Sequence, residues 1–542
     1  MQIKPLTLPA ANSLVEDYKK EKDKVTQLFD YHPYKDFYKR LSDVLERDFK
    51  RNELTNVLHK LNKEWGAPEE TLRQIDRLND KQSAVVIGGQ QAGLLTGPMY
   101  TVNKIVSILQ LAKQQEEALG IPIIPVFWIA GEDHDFEEIN HIHCPIKNGD
   151  FQKLKIRTKN IDAGKKAVSE LEMDENELQK WVEAVFERLP ETAHTKDVYT
   201  LIQKAQSQST NYIDFFARLL FALFPDQGIV LVDSGNPAFR KLESDCFLEL
   251  IQKRSQISES VANTLDVLEN LQYPLAIDAA KSDGNLFYHD DLQGRILLKV
   301  DEEGNWIGKQ REISLTSQEL KEVARNTPWK LSNNVVTRPL MQEFMFPTLA
   351  FIAGPGEIAY WAALKSSFHI MNLRMPPVVP RISVTFLDAS TEKLVKKYQL
   401  NVKDVILHGV QSTKKSYLES RGRTEIDQVT EDVKEKIREA HQPIRDMASN
   451  MGDDIQALSK KNLTYLLEDI QFMNKRFHKE FEKKHTQALN EFNQLEQVLH
   501  PHHGLQERVW NPLFIINHFG IEIISELTSF SFDMEKGHWV IK

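Results

Sequence analysis

Residues 83–131, SAVVIGGQQAGLLTGPMYTVNKIVSILQLAKQQEEALGIPIIPVFWIAG, limit the fold more than any other stretch. SAVVIGG (83–89) is a short β-branched run ending in glycines, the pattern of a buried strand. Val102, Ile105, Ile108, Leu109 and Ala112 then recur at helical spacing, with Pro98 in the first turn and Gly120 as the stop. IPIIPVFWIAG (121–131) is the next strand. A strand, helix and strand in this order predict two parallel strands joined by a right-handed crossover. The loops GGQQAG and GEDHD then lie side by side at the carboxyl ends of neighbouring strands, where open α/β sheets bind ligands.

The same rhythm returns in GIVLVDSGNPAFRKLE (228–243) and in residues 335–368, so the fold class is α/β with a Rossmann-like parallel-sheet core. Residues 160–225 read as helical, and 270–310 as β-like pieces broken by SDGN and DEEGN. These give a core over 1–385 with connecting insertions at about 150–225 and 265–330. Beyond 386, Ile426, Val429, Val433, Ile437, Ile444 and Met447 recur at spacings of three, four and seven. A second stripe runs from Ile455 through Ile470 and Phe477 to Leu499, and the two meet near NMGDD. They predict a long antiparallel coiled-coil hairpin over 386–505, its first arm kinked at Pro443. The apolar tail, 506–542, is expected to return to the core.

A chain of 542 residues is too long for one simple core. Its net charge of −10 argues against non-specific nucleic-acid binding, which needs a basic face. Two cysteines, Cys144 and Cys246, allow no disulfide framework. No apolar run approaches the roughly 20 residues of a membrane span, and MQIKPLTLPAAN is unlike a secretory signal. The expectation is a cytoplasmic protein that binds neither nucleic acid nor membrane.

Three clusters carry candidate chemistry. GGQQAGLLTGP matches neither the dinucleotide fingerprint nor the ordinary phosphate loop. Gly88, Gly89 and Gly93 would still allow a ligand close to the backbone, Gln90 and Gln91 add amides, and Lys104 follows two turns into the helix. GEDHDFEEINHIHC sets five carboxylates and three histidines between Glu132 and Cys144. Glu132, Asp133, His134 and Asp135 read as a catalytic loop, because a histidine beside carboxylates titrates near neutrality. Glu137 and Glu138 read as a solvated turn. A metal is the second reading, but the spacing of His134, His141 and His143 is not HExxH and no CxxC pair accompanies them, so no structural zinc is expected. In RPLMQEFMFPTLAFIAGPGEIAYWA, Arg338 and Gln342 precede a strand-like run, and Gly354, Gly356 and Glu357 break it before Tyr360. Arg338 suits an anion, since a guanidinium matches a carboxylate bidentately. Arg381 could reach a phosphate, with a surface salt bridge as its default.

GGQQAGLLTGPMYTVNKI, WIAGEDHDFEEINH, RPLMQEFMFPTLAFIAGPGEIAYWA and HGLQERVWN together resemble the bacillithiol biosynthesis cysteine-adding family, BshC, over essentially the whole chain. The resemblance implies a ligase joining cysteine to the amine of glucosaminyl-malate, the last step to bacillithiol. It also implies a core related to class I aminoacyl-tRNA ligases and a dimerising coiled coil. Neither the HIGH nor the KMSKS tetrapeptide of those ligases is present, so their route of adenylation does not carry over.

Amide formation in water requires an activated carboxyl group, so ATP is the expected driver, with Mg2+ allowed beside it. Asp133 and His134 are then candidates for handling the amine and its proton, GGQQAG for binding an anion or substrate, and Arg338 with GPGE for holding malate oxygens. The expected partners are cysteine, glucosaminyl-malate, a nucleotide and a second copy of the chain. Two alternatives stand beside this reading: a nucleotidyltransferase-like enzyme acting on another small substrate, and a coiled-coil interaction protein with an inactive core.

Overall fold

A computed structural model describes residues 2–146, 149–157 and 165–542. Part of the segment read as helical, 160–164, lies outside the described residues. The chain divides into two compact units, one of residues 1–144, 152–386 and 506–542, the other of 145–151 and 387–505.

The first unit is built on five parallel strands: β1 (Ala84–Gln90), β2 (Ile123–Ile129), β3 (Val230–Asp233), β4 (Thr348–Ala353) and β5 (Val378–Pro380). Their order is β5-β4-β1-β2-β3, with every neighbour parallel. The chain winds outward from β1 to β3, then crosses to lay β4 on the other side of β1. The strand order therefore reverses between β1 and β4, at the point where such sheets open a crevice. Each strand from β2 to β5 is buried along its whole length, as a sheet covered on both faces requires. Helix α1 (Tyr100–Leu119) joins β1 to β2 and is buried continuously from Thr101 to Ala112. Gly120 ends it at φ +69°, the left-handed stop the sequence placed there. Helices α2 (Thr337–Met345) and α3 (Pro355–Trp361) flank β4.

Other sheets belong to this unit as well. The insertion contributes antiparallel strands Asp283–Asp290, Gly294–Val300 and Trp306–Gly308, and Leu331–Asn333 pairs with the first of them. The tail strand His538–Ile541 lies between Ile3–Leu6, antiparallel, and Ser383–Phe386, parallel.

The second unit contains the coiled-coil hairpin. Its first arm is α4 (Arg423–Ala440) and α5 (Gln442–Ser449), divided beside Pro443. Its second is α6 (Asp453–Lys484) and α7 (Thr486–Leu499), with Gly452 at φ +116° in the turn. The two arms meet through polar side chains: Lys434 reaches Gln471, Asn474 reaches Asp427 and Thr430, and His441 reaches Asn462. Much of the apolar stripe instead faces outward, with Val429, Ile444, Met447, Leu458, Met473 and Phe477 all exposed.

Candidate active site

Every strand of the parallel sheet delivers a loop to one edge. Gln91 and Gly93 follow β1, Glu132 to Asp135 follow β2, Ser234 and Gly235 follow β3, Gly354 follows β4 and Arg381 follows β5. Above the β2 loop stands a cavity of about 990 Å3. Asp133, His134 and Asp135 line one side, Phe287 and Arg295 of the antiparallel sheet another, and Asn333 and Arg338 a third.

Arg295 organises this cavity. Its Nη1 donates to Asp133 Oδ1 and to His134 Nδ1, both at 3.1 Å, while Nη2 donates to the Asn333 carbonyl at 2.9 Å. Its Nε donates to Ser332 Oγ at 3.1 Å, and the guanidinium lies 3.6 Å from the centre of the Phe287 ring. Asp133 also accepts from Gln91 Nε2 at 2.7 Å and from the His134 amide at 2.8 Å, which ties the β1 loop to the β2 loop. Burial pushes the Asp133 carboxyl up, but Arg295, Gln91 and the amide outweigh it and hold the group below the usual carboxylate range. Asp133 is therefore a carboxylate at neutral pH. Burial first, then the Arg295 charge, push the His134 imidazole below its ordinary value, against Asp133 and Asp135. His134 is neutral at pH 7. With Nδ1 accepting from Arg295, its proton sits on Nε2.

Beneath this layer Glu132 is buried, accepting from Arg240 at 3.3 Å and from the Asn333 amide at 3.4 Å. Burial raises its carboxyl, with Arg240 and Arg295 pulling the other way. Asp233, at the end of β3, accepts from Gly235 and from Ser169 Oγ, and burial lifts it to about 6. Two polar groups of the cavity have no partner: the side-chain amide of Asn333 and Nε of Arg338. Buried polar groups are ordinarily hydrogen-bonded, so these two mark where a polar ligand or water would find partners.

A second cavity, about 500 Å3, shares Asp135, Glu137 and Glu138 with the first. Its other walls are Gln91, Gly93 and Thr101 at the start of α1, and Lys153 and Arg508. Thr101 Oγ1 is buried and unpartnered. His141 and His143 line this cavity with their rings 5.3 Å apart, whereas His134 lies against Phe287 in the first. Burial, Lys153 and His143 lower His141 to about 4. Cys144 is buried, which pushes its thiol up to about 11.

Comparison with known proteins decides the family. Residues 1–382 match the N-terminal Rossmann-like domain of bacillithiol biosynthesis BshC, and 384–542 match its C-terminal coiled-coil domain. The chain belongs to the BshC family. It is 46% identical to the protein named "Putative cysteine ligase BshC" of Oceanobacillus iheyensis, over the full length of both. Similarly named proteins of Bacillus cereus and Bacillus thuringiensis are 38% identical, again over full lengths.

Within this BshC fold several sequence candidates take other places than expected. The glycines of GGQQAG are required by the packing of the protein itself. A Cβ on Gly88 would lie 3.0 Å from the Ile352 carbonyl, one on Gly89 2.5 Å from the Trp128 carbonyl, and one on Gly93 2.8 Å from Gly97 Cα. Lys104 is buried beneath the loop, donating to the Gly89 carbonyl and to Glu357 Oε2, both at 2.6 Å. Glu357 in turn accepts from the Gly354 amide at 2.7 Å, so these residues and Gly356 form a helix start across the switch point. Arg381 makes no surface salt bridge. It is buried and holds both oxygens of Glu507 at 2.7 Å. Gln342 is buried outside both cavities, while Tyr360 hydrogen-bonds Arg338. Gln90 borders the second cavity. Glu137 and Glu138 are exposed at the shared rim. Sequence reasoning missed Arg295, Phe287, Asn333, Arg240, Asp233 and Arg508. GLQERVWN, quoted only for the resemblance, supplies Glu507 to Arg381 and Asn511 to the carbonyls of Leu95 and Gly97.

Proposed function

We propose that this protein is a cysteine ligase that forms an amide between the carboxyl group of cysteine and the amine of glucosaminyl-malate, completing bacillithiol. The observation that carries the reading is the first cavity, where an ionised Asp133, a neutral His134 and the unpaired polar groups of Asn333 and Arg338 converge. The malate carboxylates are placed toward Arg338 and Asn333, which supply the missing partners. Asp133 has one lone pair of Oδ2 left after Gln91 and receives an N–H of the amine. His134 presents its Nε2–H to the oxygen on which charge develops as nitrogen attacks carbon. In the reaction a C–N bond forms, the bond from the carboxyl carbon to its leaving oxygen breaks and that oxygen departs with the phosphate or nucleotide it carries, and the amine's proton passes to the Asp133 carboxylate and on to water.

The second cavity suits the phosphates of ATP: Lys153 and Arg508 are cationic, the N-terminus of the 20-residue α1 favours an anion, and Thr101 Oγ1 lacks a partner. ATP, when bound, supplies a leaving group for the cysteine carboxyl. Asp135, Glu137 and Glu138 at the shared rim are the carboxylates that would hold Mg2+, which would offset phosphate charge. The protein works as a homodimer through the outward apolar face of the hairpin, because so many large exposed apolar side chains on one element call for a partner.

Calorimetric titration with glucosaminyl-malate, ATP and cysteine, each separately, tests the assignment. Glucosaminyl-malate binds the wild type, and Arg338→Ala weakens it at least tenfold. Absence of binding, or binding indifferent to both Arg338→Ala and Asn333→Ala, rejects the substrate.

A further inference from the structure

The second unit carries a triad that the proposed reaction does not use. Among the described residues, Glu496, His500 and His503 form the one group of three histidine, cysteine or carboxylate side chains whose donor atoms all lie within 4.8 Å of one another. Glu496 lies in the last turn of α7 and His500 is the residue that ends it, at φ −141°, with its amide donating to the Glu496 carbonyl at 2.8 Å. His503 arrives from the turn Pro501–His503, where His502 and His503 hold positive φ of 49° and 60°.

Two of the three ligands are already oriented by the surrounding chain. His500 Nδ1 lies 2.8 Å from the Ile406 carbonyl. A carbonyl only accepts, so Nδ1 carries the proton and Nε2 keeps the lone pair that a metal needs. The Val410 amide donates to Glu496 Oε2 at 2.7 Å, which fixes the carboxylate and leaves Oε1 free. A backbone carbonyl behind a histidine and an amide behind a carboxylate are the outer contacts that orient metal ligands. The C-terminal end of α7 adds the negative end of a helix dipole. His500 is buried, Glu496 half-buried and His503 exposed, so a cation can enter from solvent and keep a water.

We propose that Glu496, His500 and His503 bind one divalent d-block cation of the zinc class, with water completing the coordination. Two imidazoles and one carboxylate are a donor set that zinc accepts, whereas magnesium and calcium prefer oxygen alone. Bound there, the cation ties the end of α7 to residues 501–503 and steadies the contacts to residues 406–410. The expectation of no structural zinc rests on the spacing of His134, His141 and His143, and this triad lies outside that stretch.

The test uses the full chain, purified without a histidine tag, stripped by chelator and titrated with Co2+ as a coloured stand-in for Zn2+. The wild type should bind one equivalent with visible ligand-field absorbance and be displaced by Zn2+. His503→Ala and Glu496→Gln should weaken binding at least about tenfold while melting like the metal-free wild type. His503 is exposed and glutamine can still accept from the Val410 amide, so neither change threatens the fold. His141→Asn with His143→Asn should leave the signal unchanged. The proposal is overturned if the wild type takes up no stoichiometric metal, if both triad variants bind as tightly as it does, or if the signal disappears with the His141 and His143 changes instead.

Discussion

Arg295→Met puts the electrostatic core of the site under direct test. The methionine keeps an unbranched apolar stem but loses the guanidinium stacked on Phe287 and four hydrogen bonds, to Asp133, His134, Ser332 and the Asn333 carbonyl. Breaking a fully buried ion pair costs about 3–5 kcal/mol. Here the Arg295 side chain is 5% exposed but Asp133 is 30% exposed, so water replaces part of the lost interaction and about 2–3 kcal/mol is expected. The more discriminating effect is on titration. After burial, Arg295 is the main influence holding His134 below its ordinary value, so removing it raises the His134 pKa. A site that needs neutral His134 loses activity as pH falls through that pKa. The acid limb of kcat/KM should therefore move to higher pH in the variant. The Cε1 resonance of His134 in 13C-labelled protein, assigned by its loss in His134→Gln, should titrate at higher pH as well. An acid limb and a resonance that both stay where the wild type has them would refute the electrostatic account.

Gly93→Val should lower thermal stability by about 1–3 kcal/mol through collision with Gly97, whereas Gly356→Ala, with nothing within 4 Å of its Cβ, should melt within about 0.5 kcal/mol of the wild type. Asp233 is raised from 3.8 to about 6 by burial, so the folded state binds its proton more tightly than the unfolded state and stability falls as pH rises across that window. Asp233→Asn, which keeps an acceptor for Gly235, should remove that decline and gain on the order of 2–3 kcal/mol at pH 7, read from denaturant melts between pH 4 and 7. A decline of the same size in both proteins would reject it. Met473→Glu with Phe477→Glu should give monomers in light scattering at micromolar concentration, and a wild type that is itself monomeric there would defeat the dimer proposal.

The parallel core was legible because its strands are short apolar runs with nothing polar to confuse the period, and because Gly120 marks the end of α1. GEDHD was legible as a loop at the carboxyl edge of the sheet because it follows such a strand. Its principal partner was not. Arg295 comes from an inserted antiparallel sheet some 160 residues later, where one arginine in GRILLKV looks like an ordinary solvent-facing residue. Asn333 was missed for the same reason, as it ends a strand of three residues. The glycines of the β1 loop were found, but their packing role was not. A sequence cannot distinguish a glycine cleared for a ligand from one cleared for the next strand, and here Trp128 and Ile352 do the crowding. In the hairpin the apolar period was right, yet Asn474, Thr430 and Lys434 lie between the arms and the larger apolar side chains point away. Periodicity identifies a stripe without saying what it faces.

The central claim is that the crevice at the sheet edge makes bacillithiol. The measurement that tests it most directly is the quantity of bacillithiol and of glucosaminyl-malate in a strain lacking this gene, complemented with the wild type or with Asp133→Asn. The deletion strain should accumulate glucosaminyl-malate and lack the thiol. The wild type should reverse both, and a folded Asp133→Asn protein should reverse neither. A deletion strain that accumulates no glucosaminyl-malate would contradict the ligase assignment, and full restoration by Asp133→Asn would contradict the placement of the chemistry in this loop.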